Sequence, residues 1–317
     1  MTIITGGDSG IGRSVAVLFA REGADVAIVY PGAEQADAEV TASAIEAESR
    51  RARRIPGDVR KQAFFKSAVS KIVKAFGRLN VLVNNAAFQV HPTFADLTPE
   101  HFDQTAKTNL DGYFSIGQAA VAQMNRAGAI VNTGSGTGIL SNKDLLVHSM
   151  TKGGIHAFTR SLATHLVSQG IRVNAVAPGP VWTPFNPSNK EAADVAKFGA
   201  DTPTKRPAQP EGIALPYVFL ASAQTASYIA GEVVPILGGS RTRCSVLLRH
   251  RLKVLVTDRA EPDQRAPNAQ GSGLVHARAS RRRRRYASAR ACRVYATLPK
   301  SREPRSAQTG ARAHYRA

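Results

Sequence analysis

Cysteine is nearly absent from this chain. Its two cysteines, Cys244 and Cys292, both lie beyond Ser240, so disulfides cannot hold residues 1–239 together. Long apolar runs are absent too. None approaches the ~18 residues needed to cross a bilayer, which excludes a transmembrane helix on hydropathy. The N-terminus has no basic stretch followed by an apolar core, so no secretory signal is read there and a cytoplasmic protein is expected. Metal-ligand spacing is also missing. His91, His101, His156 and His165 have no Cys, Asp or Glu at useful offsets, and are expected on helix surfaces or loops.

What the chain does have is a strongly uneven charge. The net charge of +19 would ordinarily suggest a polyanion partner. From Ser240 to Ala317, however, there are 20 basic and 4 acidic residues, which leaves residues 1–239 close to neutral. That body, with 43% hydrophobic residues in the whole chain, can bury a substantial core. The segment 240–317 carries an unbroken basic run, Arg281–Arg285, among Ala, Ser, Pro and Gly. It is read as a low-complexity, disordered tail. It lacks heptads, zinc spacing and interleaved aromatics, so nucleic-acid binding is not expected, and its texture is that of read-through or a shifted reading frame.

The body alternates short β-branched runs with longer amphipathic stretches. Strands are predicted over residues 2–5, 25–30, 54–56, 80–83, 129–133, 171–175 and 232–237. Helices are predicted over 10–22, 34–51, 61–76, 99–124, 149–168 and 211–221. Such alternation means parallel pairing with right-handed crossovers: an α/β fold with one doubly wound, Rossmann-type sheet of about seven strands. Ligands of such sheets bind beyond the carboxyl ends of the strands, where every motif below falls.

The first motif is T-G-G-D-S-G-I-G, Thr5 to Gly12, between the first strand and the first helix. A dinucleotide pyrophosphate needs a tight turn, close backbone approach and free helix N-terminal amides. Gly6, Gly10 and Gly12 meet the first two needs, and the helix they open meets the third. Thr5, Ser9 and Ile11 complete the candidate phosphate turn.

From Thr2 to Gly239 the chain resembles the short-chain dehydrogenase/reductase family, in particular the T-G-G-D-S-G-I-G-R subgroup that is glucose/ribitol-dehydrogenase-like or aldehyde-reductase-like. The resemblance implies roles for particular residues. Asp58 and Val59 would contact the adenine. Asn85 and Ala86, in Asn84–Ala87, match the family's N-N-A-G. Asn109 would anchor a proton-relay water, Ser135 would orient a carbonyl, and Lys152 is the lysine of Y-x-x-x-K. Pro178, Gly179 and Thr183 match P-G-x-x-x-T, which holds the nicotinamide carboxamide. It also implies a homodimer or homotetramer, and an N-terminal extension before the first strand in relatives. The family's catalytic tyrosine should stand four residues before Lys152, and His148 stands there instead. A histidine can transfer protons near neutral pH, but its ring is shorter and the lysine charge favours its neutral form.

Strand two ends at Tyr30–Pro31 without the acid that holds a ribose 2′-OH, and Arg13 follows the glycine motif. The cofactor is thus NADP or NAD, with NADP favoured. The Pro-rich stretch 182–210 falls where the family has its substrate loop, making Trp182, Phe185 and Phe198 candidate pocket walls. Three functions stay open: an NAD(P)(H)-dependent oxidoreductase on a small alcohol/carbonyl pair, a catalytically silent nucleotide-binding scaffold, and a polyanion binder acting through its tail.

Overall fold

The central strands of the sheet are buried on both faces. β1 (Thr2–Thr5) and β2 (Val26–Tyr30) are buried throughout. Helix α1 (Gly10–Arg21) joins them, and α2 (Gln35–Ala47) leads on to β3 (Ala52–Pro56). The computed structural model describes residues 1–186 and 192–240. The tail reading for 240–317 therefore lies outside the described residues, apart from Ser240.

After β3 come α3 (Gln62–Phe76) and β4 (Leu79–Asn84), then α4 (Pro99–Ala106), a π-helical turn (Lys107–Asp111) and α5 (Gly112–Val121). β5 (Met124–Thr133), the short α6 (Thr137–Leu140), the long α7 (Leu146–Leu166) and β6 (Arg172–Pro178) follow. The chain then passes through α8 (Ala192–Ala196), α9 (Pro210–Ala221) and α10 (Ala223–Ala226) to β7 (Val233–Ile236). All seven strands pair in parallel in the order β3-β2-β1-β4-β5-β6-β7. This is the expected doubly wound sheet, with its order reversing between β1 and β4.

The two faces read directly off the period of two along each strand. Ile4, Ile28, Val83 and Val131 point into one core with Phe19 of α1 and Tyr217 of α9. Their neighbours Ile3, Val29, Leu82 and Ile130 point into the other, with Phe65 of α3, Ile116 of α5 and Leu166 of α7. The edges differ. β3 exposes Arg53 and Arg54, and β7 carries Pro235, a residue tolerated on an edge strand.

The stretch expected to be one helix from 99 to 124 is corrected in two ways. It ends at Val121, and Met124 already begins β5. Within it the Thr105 and Thr108 hydroxyls donate to the carbonyls of His101 and Gln104, and five residues widen into the π turn. Periodicity does not reveal such a bulge, because apolar spacing stays almost helical through it.

Arg172, buried at the start of β6, donates to the last carbonyls of α9, Leu220 at 2.6 Å and Ala221 at 2.8 Å. A cation at a helix C-terminus satisfies acceptors that the helix itself leaves open. Arg172→Met should cost about 2–4 kcal/mol in urea unfolding, as expected for two charge-assisted bonds lost inside the protein. A loss under about 0.5 kcal/mol would mean that these carbonyls need no such partner.

Candidate functional site

The site is built where the sheet order reverses, at the carboxyl ends of β1, β4 and β5. Gly6 and Gly10 take φ of +61° and +50°, a region that favours glycine. A Cβ on Gly12 would collide with the Gly6 carbonyl oxygen, so Gly12 is required for closing the turn. Asn85 Nδ2 donates to that same carbonyl at 2.9 Å, and the amides of Asn85 and Ala86 donate to Thr5 Oγ1 at 2.9 and 3.1 Å. Thr183 packs over Gly10, where a Cβ would lie 3.0 Å from its methyl group. The glycine turn, the Asn84–Ala87 segment and the P-G-x-x-x-T segment thus meet at one point.

This cradle fits a dinucleotide. Ser9 precedes α1 and gives it no side-chain cap, and the first turn holds no acid, leaving the helix amides for an anion. Gly179, after the end of β6, donates its amide to Ile236 at 2.8 Å, which fixes Pro178–Gly179 beside β7. The Asp58 carboxylate accepts from Arg60 at 2.8–3.1 Å, holding it below its ordinary range, and Val59 is half-buried beside Gly112. The Tyr30 side chain turns into the core and gives its hydroxyl to Gln35, so only the backbone end of that residue meets the cleft edge.

Arg13 is not a free cation. Its guanidinium donates to the Asp8 carbonyl at 2.7 Å and pairs with Asp37 at 2.8 Å. Asp8 is buried, with Oδ1 accepting from no neighbouring N–H or O–H. Glu34 faces it, and the hydrogen bond between the two carboxyls, with burial and the Asp8 and Asp37 charges, pushes Glu34 up to about 7. A protonated Glu34 can donate to the Asp8 carboxylate.

The candidate reacting end is laid out by α7, which presents residues 148, 152 and 156 at intervals of four on one face. Lys152 is fully enclosed. Its Nζ donates to the Thr133 carbonyl at 2.7 Å and lies 5.5 Å from the Tyr113 ring centroid. Burial lowers its pKa to about 7. His148 is buried with Nδ1 3.5 Å from the Phe88 carbonyl, and its ring centroid lies 6.4 Å from that of Phe185. Burial and the Lys152 charge lower it to about 3, so the imidazole is neutral. Asn109, wholly buried in the π turn, accepts from the Phe88 amide at 2.8 Å and donates to the Phe88 carbonyl and Thr151 at 3.0 Å each.

Ser135 Oγ accepts twice, from the Thr137 amide at 3.1 Å and the Thr137 hydroxyl at 3.0 Å. Its own proton is thereby left for another acceptor. His148 also lines a cleft with Val90, Pro92, Leu97, Thr105, Asp144, Leu146 and Val147. Of the loop aromatics, Phe185 reaches His148, whereas Trp182 is half exposed and pairs with Phe198 at 6.4 Å. Sequence reasoning missed Phe88, Thr133, Thr137 and Thr151, which act through backbone groups or hydroxyls. It also placed His156 on a surface, and this is corrected: His156 is buried, because it continues the inward 148–152 stripe.

Fold and cleft define a dinucleotide-binding oxidoreductase. The comparisons agree. A family model described as enoyl-(acyl carrier protein) reductase matches residues 6–241. An uncharacterized oxidoreductase, YhxC of Bacillus subtilis, is 46% identical over 75% of this chain and 83% of its own length. The glucose and ribitol dehydrogenase of Daucus carota is 44% identical over 76% and 84%. Among solved structures, a short chain dehydrogenase from Burkholderia cenocepacia in complex with NADP is similar with a TM-score of 0.70 and 31% identity, covering 75% of this chain and 96% of that one. The chain belongs to the short-chain dehydrogenase/reductase family. It is an NAD(P)-dependent oxidoreductase acting on alcohol/carbonyl groups, and the silent-scaffold reading is not favoured. No helix among the described residues is long and apolar enough to cross a membrane.

The Asp8–Glu34 proton has a consequence for stability. Glu34 has an ordinary pKa of 4.5, raised to about 7 in the fold. A raised pKa contributes stability that is complete below the unfolded value and lost as pH climbs through the folded one. Glu34→Gln, which keeps a donor toward Asp8 at every pH, should leave Tm near wild type at pH 4 and raise it at pH 8. An equal Tm shift at both would show that no proton is shared.

Proposed function

We propose that this chain interconverts a small carbonyl compound and its alcohol with NADP(H), using Ser135, His148, Lys152 and Asn109 at the reacting end. When bound, the reduced cofactor supplies hydride to the carbonyl carbon. The observation that carries the reading is the twice-accepting Ser135 hydroxyl, whose own proton is left to donate to a substrate oxygen. Preorganised donors at developing negative charge are commonly a large contribution to catalysis.

In this proposal Asn109 fixes the Phe88 backbone, which steadies His148. A carbonyl only accepts, so His148 keeps its proton on Nδ1 and offers the Nε2 lone pair to the substrate hydroxyl. In oxidation it takes the hydroxyl proton as hydride leaves the alcohol carbon, which charges the ring, and in reduction the same charged ring returns that proton to the oxygen. Both directions are slowed because charge on the ring beside Lys152 is unfavourable. Burial lowers Lys152 to about 7, and its neutral form eases that cost. Thr5, Gly6, Ser9, Gly10, Ile11, Gly12, Asn85 and Ala86 hold the pyrophosphate side, Asp58, Val59 and the Tyr30 backbone the adenosine, and Pro178, Gly179 and Thr183 the nicotinamide. Phe185, with Trp182 at the rim, walls the substrate pocket.

NADP(H) is preferred in this reading. β2 ends without a carboxylate, and the acids that follow it are engaged, Glu34 with Asp8 and Asp37 with Arg13. The Burkholderia neighbour was solved with NADP. We further propose a cytoplasmic homo-oligomer, at least a dimer, formed through α4, α5 and α7, where Phe102, Phe114, Leu146 and Met150 are exposed.

Titration of the full chain should give saturable NADPH binding, tighter than NADH, and turnover on an aldehyde panel. Failure to bind either nucleotide overturns the reading. His148→Tyr should raise kcat by ~10²-fold, the order expected when general acid/base help is restored. An unchanged or lower kcat would make histidine the fitted group. Phe114→Glu with Met150→Glu should leave monomers by light scattering, and an unchanged mass would remove those helices from the interface.

A further inference from the structure

The turn that carries Ser135 is tied to β6 on both sides of the serine. Gly134 and Gly136 donate their amides to the Val176 and Pro178 carbonyls, each at 2.7 Å. The intervening Ser135 amide has a different partner, His156 Nε2, at 3.4 Å. An amide left without an acceptor at this half-buried position is costly, and His156 supplies the acceptor.

His156 fits the position closely. It is 4% exposed and lies one helical turn after Lys152. A Cβ on Gly134 would collide with its Nε2, and one on Gly138 would come within 2.8 Å of its Cε1. Glycine on both sides of the serine therefore leaves room for this ring. Burial and the charges of Arg160 and Lys152 lower its pKa to about 4, against a hydrogen bond to the Gly138 backbone. A neutral ring bonded through one nitrogen to Gly138 keeps a lone pair on the other for Ser135.

We propose that His156 is the positioning residue for Ser135, holding the serine's amide so that its hydroxyl meets the substrate oxygen. This rests on the oxidoreductase reading above. Displacement of a reacting group by ~1 Å can cost ~10²-fold in rate. His156 thus acts on turnover through Ser135 and has no part in binding the cofactor.

The test uses full-length protein with His156→Leu, which keeps apolar bulk, and His156→Gln, whose Oε1 can accept near the Nε2 position. kcat and KM, NADPH titration and amide hydrogen exchange are measured on each. His156→Leu should lower kcat by ~10–10²-fold with KM for NADPH and its binding unchanged. Exchange at Ser135 should accelerate, while Gly134 and Gly136 stay protected. His156→Gln should restore most of kcat and the Ser135 protection together. The proposal is overturned if His156→Leu turns over within twofold of wild type. It is equally overturned if NADPH binding falls in step with kcat, which would mark a general packing defect, or if Gln restores stability without rate. Should His156→Leu fail to fold, Gln decides: slow turnover with fast Ser135 exchange supports the role, and slow turnover with a protected Ser135 amide defeats it. A wild-type chain without turnover defeats the functional reading and this proposal with it, whereas an active wild type with an unaffected leucine variant defeats this proposal alone.

Discussion

Nothing larger than hydrogen fits between Gly12 and the Gly6 carbonyl, and the cofactor end of the cleft depends on that closeness. It sets how steeply α1 leaves β1, and so where the uncapped amides of the helix point. The same carbonyl receives Asn85 from β4, and Gly10 in the same turn receives Thr183 from beyond β6. One tight turn thus sets the distance between three segments far apart in the chain. A side chain there would separate them all at once.

The reacting end depends on a second convergence, at the end of β5. The Thr133 carbonyl accepts from Lys152 at 2.7 Å and from the Tyr113 hydroxyl at 3.2 Å, and the Thr133 hydroxyl meets Tyr217 at 2.9 Å. The strand end is therefore rigid two residues before Ser135. Against it α7 presents His148, Lys152 and His156 in one stripe. Burial works on all three in the same direction, disfavouring charge. Lys152 is lowered to about 7, and His148, lowered to about 3, is held neutral.

The π turn and the acid pair are local departures from the regular pattern. Asn109 reaches both the amide and the carbonyl of Phe88 because the helix widens at that point. Such bulges recur at functional sites because they re-aim one side chain without ending the helix. Asp8 and Glu34 sit together although only Asp8 is buried, and a proton held by Glu34, raised to about 7, lessens the repulsion between the two carboxyls.

The sequence by itself determined the strand–helix alternation, the parallel sheet and the two-sided core, and it marked out the glycine turn, Asn84–Ala87 and Pro178–Thr183 proposed to hold the cofactor. These follow from local periodicity and from glycine and proline placement, which act over a few residues. The alternation of Ile3 with Ile4 or Leu82 with Val83 assigns each to a face without any knowledge of its partner. Tertiary structure alone decided that Thr183 lies on Gly10, that Lys152 finds the Thr133 carbonyl, that Arg13 is spent on Asp37, and that His156 turns inward to Ser135. Each of these is a single contact between distant segments, mostly to a backbone atom, and a backbone atom leaves no mark in residue type. Their protonation states were hidden for the same reason: pKa follows burial and neighbouring charge, and both exist only once the helices have packed onto the sheet.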